Sequence, residues 1–192
     1  HAALAQLGIS EPVLVGHSLG GALAQLYAAR YPVAGLVLVD GLTADVAEPV
    51  VERLGGYRSL DGLARLGLLR PIGGLFAHPA YPAELREQMV ALRSGSTALL
   101  RLTAEGALAA QSVPAELRAA EARLTMPLLV IAAGESDVPG VPAGAFQGAA
   151  AAFAGRHPQA AYVLVPDAPH YVQATHPDAV AGAIERWLAA LG

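Results

Sequence analysis

The sequence contains no cysteine, which excludes disulfide scaffolds, cysteine-ligated zinc or iron–sulfur centres and thiol nucleophiles. It also contains no lysine and no asparagine, and all twelve basic residues are arginine. Lysine and asparagine codons are AA-rich, so this absence, beside an excess of alanine, matches a GC-rich coding bias before it reflects any function. Charge is sparse at 15% of residues, with a net charge of −4. No arginine cluster exists that could replace the counterions of a phosphate backbone, so nucleic acid is not an expected partner. Long apolar runs are missing as well: the longest uncharged stretches, Pro12–Ala29 and Val138–Gly155, are interrupted by Gly, Pro, His or Ser, and no membrane span is predicted. The chain opens at His1 inside an apolar-periodic segment with no cationic region, which reads as the interior of a longer protein and not as a signal peptide. Localisation stays open, with the cytoplasm favoured.

What is present is apolar: 54% of the 192 residues are hydrophobic, enough for a globular domain with a real core. Four short runs, Val13–Gly16, Gly35–Asp40, Pro127–Gly134 and Ala161–Pro166, are continuously apolar and do not alternate. Such runs suit strands of a parallel sheet buried on both faces by helices. Helix-length segments follow them at Leu19–Tyr31, Ala143–Arg156 and Pro177–Leu191, the last starting with Pro177-Asp178 and presenting Val180, Ala183, Ile184, Trp187, Leu188 and Leu191 on one face. Strand and helix alternate, and the class is α/β. From Leu42 to Leu124 strand-like runs disappear. Leucine and arginine recur at helical spacing, with breaks at Gly55-Gly56, Gly73-Gly74, Pro79, Pro82 and Pro114, which predicts a helical cap inserted between two strands of a core made of residues 1–41 and 125–192.

Directly after the first run stands Gly16-His17-Ser18-Leu19-Gly20-Gly21, a G-x-S-x-G motif between a strand and a helix. A sharp turn at that junction lifts a serine hydroxyl above the sheet, and a helix N-terminus below it offers free N–H groups to a developing oxyanion. A serine hydroxyl needs a base, and the base needs an orienting acid. The chain supplies both beyond later strands: Asp137 in Gly134-Glu-Ser-Asp137 and His170 in Pro166-Asp-Ala-Pro-His170.

On these residues the chain resembles the α/β-hydrolase superfamily, from end to end and with the insertion where that superfamily carries its cap. Within it the chain is most similar to small, esterase-like bacterial members. The resemblance implies Ser18 as nucleophile, Asp137 as acid, His170 as general base and the Leu19 N–H as oxyanion donor. It implies a small-molecule acyl substrate and no cofactor. The chain departs from the family by having Ala168-Pro169 in place of a glycine before the histidine. The family's first strands, with a second oxyanion donor, would lie before His1. The first strand here is therefore expected to have an open edge, covered by a missing N-terminal segment or by self-association.

Asp40, at the end of the second run, rivals Asp137, because some members of the superfamily carry the acid there. His17 is expected to pack or to line the substrate pocket, His176 to sit at a helix entry, His78 and His157 at the surface, and Asp167 in a turn. No metal-ligand spacing is present among the six histidines. The expected function is hydrolysis of an ester or related acyl bond. The alternatives are an acyltransferase, thioesterase, C–C hydrolase or cofactor-free haloperoxidase using the same triad, or a catalytically inactive fragment.

Overall fold

A computed structural model describes residues 1–56, 79–94, 112–136, 138 and 141–192. Among them, four parallel strands form one sheet in chain order: β1 (Val13–His17), β2 (Gly35–Val39), β3 (Leu128–Ala133) and β4 (Ala160–Val165). Parallel neighbours need crossovers, and helices supply them. The short α1 (Ala2–Gln6) precedes β1, and α2 (Leu19–Ala28) connects β1 to β2. The helices α3 (Ala44–Gly56), α4 (Ala83–Ser94) and α5 (Val113–Glu121) lie between β2 and β3, α6 (Ala145–Arg156) joins β3 to β4, and α7 (Val172–Thr175) and α8 (Pro177–Ala190) follow β4.

Alternation along the central strands divides the core. Val37, Val39, Leu129 and Ile131 face Val180, Ala183 and Trp187 of α8. Their neighbours Leu36, Leu38, Leu128 and Val130 face Ala24 and Ala28 of α2 and Ala150 and Phe153 of α6. The alanine richness has its use here, since small side chains let two helices lie close on one sheet face. A third cluster, including Val46, Ala47, Leu117, Phe146 and Ala149, joins α3 and α5 to α6. At the end of α6, Arg156 donates to Glu121 of α5 and Asp45 of α3, each at 2.5 Å. Those two carboxylates push the protonation of the guanidinium further up.

The α/β class and the three predicted helices agree with the structure to within a few residues at their ends. Pro82 lies just before α4 and Pro114 in the first turn of α5, while the Gly55-Gly56 break falls at the end of α3. Gly73-Gly74 lies outside the described residues. One expectation needs correction, because only β2 and β3 are buried on both faces. Val15 of β1 is 56% exposed, and Tyr162 and Leu164 of β4 are partly exposed too. Edge position explains this: each of these strands has one strand neighbour and correspondingly less helix over it. None of the described helices is long and apolar enough to cross a membrane.

Phe153 is fully buried between α6 and the sheet. Phe153→Ala should lower the unfolding free energy by about 3–5 kcal/mol, and the thermal midpoint by roughly 10 °C. Leu188→Ala, at a side chain 41% exposed, should change it by about 0.5 kcal/mol or less, as read by circular dichroism melts of both variants.

Candidate active site

Because the strands are parallel, their C-terminal ends open on one side of the sheet, where ligands of open α/β sheets bind. Three of the turns there carry the polar side chains of interest. Ser18, between β1 and α2, has φ 52° and ψ −122°; Asp40, just after β2, has φ 42°. They are the two non-glycine residues with positive φ among the described residues, a conformation costing on the order of 1–3 kcal/mol and concentrated at functional sites.

Backbone contacts hold both turns in place and bind them to each other. Ser18 N–H donates to the Val39 carbonyl at 3.3 Å, and Leu42 N–H donates to the Ser18 carbonyl at 2.9 Å. Buried Gln25, on α2, donates to the carbonyls of Gly21 and Leu42. Gly16 is required by close approach, because a Cβ there would stand 2.4 Å from the Gly20 carbonyl oxygen. At Gly20 itself a Cβ would meet nothing, so the second glycine of the motif is not sterically demanded in this chain.

The third turn brings in His170, which is 8% exposed. Ser18 Oγ lies 2.9 Å from His170 Nε2, and His170 Nδ1 lies 2.6 Å from Asp40 Oδ2. With the Nδ1–H tautomer the imidazole donates to the carboxylate and accepts from the serine hydroxyl at Nε2. Asp40 is 1% exposed, and its carboxylate is well supplied with donors. Its Oδ1 accepts from Ala133 N–H at 3.1 Å, and its Oδ2 accepts from the Ser136 hydroxyl at 2.8 Å. Phe146 packs beside the His170 ring, with centroids 5.1 Å apart.

Of the residues singled out from sequence, Ser18 and His170 meet, and among the described residues Asp40 brings a carboxylate to the histidine. Asp137 and His78 lie outside the described residues. Leu19 opens α2, so its N–H belongs to the free donors of the helix N-terminus. His17 turns its ring towards His170 and Tyr171 and, through Nε2, donates to the His170 carbonyl at 2.9 Å. Nδ1 of His157 is 2.8 Å from the Phe153 carbonyl oxygen, and His176 stands at the start of α8. Ser136 was not anticipated. Its only sequence signal is its place beside Asp137 in the turn after β3.

The alpha/beta hydrolase family model matches residues 1–183, and the chain belongs to that family. Among solved structures it is similar to a probable hydrolytic enzyme from Pseudomonas aeruginosa PAO1, with a TM-score of 0.73 and 23% identity over 98% of this chain and 66% of that one. It is also similar to a thermophilic esterase from Thermogutta terrifontis, with a TM-score of 0.59 and 25% identity over 98% and 69%. A bromoperoxidase from Bacillus anthracis gives a TM-score of 0.70 and 17% identity over 98% and 71%. The chain thus spans about two thirds of the length of these structures. No curated protein matches it.

Burial, and secondarily the proximity of His170, lower the pKa of His17 below 6.5. The unfolded chain therefore binds a proton at His17 more readily than the folded one. The stability this histidine contributes is complete above pH 6.5 and is lost as pH falls towards its folded value. His17→Gln, which keeps a donor but cannot titrate, should show a smaller drop in thermal midpoint than the parent protein between about pH 8 and about pH 5.

Proposed function

We propose that the protein is a serine hydrolase cleaving an ester or related acyl bond of a small apolar substrate, with Ser18 as nucleophile, His170 as general base and Asp40 as orienting acid. The observation that carries this reading is the unbroken chain of contacts from Ser18 Oγ through both nitrogens of His170 to Asp40 Oδ2. Asp40, the rival of Asp137 in the sequence, is preferred in this reading because its carboxylate lies within hydrogen-bond reach of Nδ1 among the described residues.

In the proposed reaction Ser18 Oγ attacks the acyl carbonyl while its proton passes to His170 Nε2. The oxyanion faces the Leu19 N–H at the head of α2, and Asp40 stabilises the imidazolium. The imidazolium protonates the leaving alcohol, and water, deprotonated by the same nitrogen, releases the acyl group from Ser18. These steps need no cofactor. Residues 42–124 are assigned to a helical cap over the core. Tyr81, 3% exposed, supports this, standing edge-on to Tyr171 at 5.6 Å beside His170.

A fluorophosphonate probe tests the nucleophile without knowledge of the substrate. The parent protein should label and Ser18→Ala should not; equal labelling of the two removes Ser18 from the role. Asp40→Asn should slow labelling by about 10⁴-fold, whereas Asp137→Asn should cost about tenfold or less. The opposite ranking would move the acid to Asp137.

A further inference from the structure

We propose that Ser136 is a positioning residue of this site, its hydroxyl bracing the Asp40 carboxylate in the orientation that His170 needs. The inference rests on the reading of Ser18, His170 and Asp40 given above.

An aspartate carboxylate turns easily about its last torsion, since that torsion lacks the sharp staggered wells of the others. The Ala133 N–H holds Oδ1 alone and leaves this rotation available. The Ser136 hydroxyl supplies the second point of attachment, donating to Oδ2 at 2.8 Å, the same oxygen that receives His170 Nδ1 at 2.6 Å. With both oxygens held, Oδ2 stays aimed at the imidazole. Ser136 Oγ also lies 3.3 Å from His170 Nδ1, so its lone pairs stand beside the N–H that becomes part of an imidazolium when Ser18 attacks.

The placement of Ser136 follows from the backbone. Gly134 N–H donates to the Val165 carbonyl at 2.8 Å, and Glu135 N–H donates to the Ala168 carbonyl at 2.9 Å. The turn carrying Ser136 is thereby laced to the turn carrying His170. This lacing requires glycine at 134, where a Cβ would fall 1.9 Å from the Pro166 carbonyl oxygen. Serine, aspartate and histidine thus come from three turns held in one register, and the hydroxyl stands where it touches both members of the pair it serves.

The test measures the rate of fluorophosphonate inactivation at saturation (kinact) and the half-saturating probe concentration (KI) on the purified chain. Ser136→Ala should lower kinact by about tenfold, the scale of a hydrogen bond to a carboxylate, and leave KI within about twofold. Ser136→Thr, which restores a hydroxyl, should recover kinact to within about threefold of the parent value. Because Ser136 acts through Asp40, its effect should disappear in an Asp40→Asn background. Ser136→Ala at the parent kinact, no recovery with threonine, or a tenfold loss that persists in the Asp40→Asn background would each overturn the proposal. If Ser18→Ala labels as the parent does, the hydrolase reading itself fails; that result is separate from a failure of Ser136 alone.

Discussion

Burying a carboxylate is tolerable only where donors replace the water it has lost. The open end of this sheet is organised around that requirement. Asp40 draws on β3 through Ala133 N–H, on the following turn through Ser136 and on the turn after β4 through His170. Its own N–H donates to the Ile131 carbonyl at 2.7 Å. Removing the carboxylate would take away an acceptor shared by donors from three different segments, and removing one donor weakens the reason for the others. The ends of β2, β3 and β4 are in this sense one polar unit built on an apolar sheet.

The same unit explains where the backbone bears strain. Ser18 and Asp40 both hold positive φ without being glycine, and the two turns are joined by the bond from Leu42 N–H to the Ser18 carbonyl and by the bridging amide of Gln25. Each strained turn is held by the other. A serine raised above the sheet and an aspartate turned back under the histidine are two halves of one arrangement, and this places Ser18 and Asp40 at the ends of adjacent strands.

Much of this was legible in the sequence. Continuous apolar runs marked the four strands, and G-x-S-x-G between a strand and a helix marked Ser18. A histidine beyond the last strand marked His170. The proposed acid was less legible, because Gly134-Glu-Ser-Asp137 and Val39-Asp40 both place a carboxylate at a strand end. Choosing between them depends on which turn bends towards Nδ1, and no periodicity encodes that. The trajectory of the β3 turn is set by contact between Gly134 and Pro166, a pair distant in sequence, so Ser136 carried no signal of its own. Partial exposure of β1 and β4 was hidden for a related reason, since composition records how apolar a strand is and not how many neighbours it has.

Trp187, the single tryptophan of the chain, is 8% exposed and lies where a Cβ on Gly35 would meet its ring at 2.6 Å. It is therefore an intrinsic optical reporter of one face of the sheet. Its emission will follow the lifting of α8 from β2 during denaturation. Events among α2, α3, α5 and α6, across the sheet, will leave it largely unchanged. A fluorescence unfolding curve of this protein records the half of the core packed by α8, and another probe is needed to follow the half packed by α2 and α6.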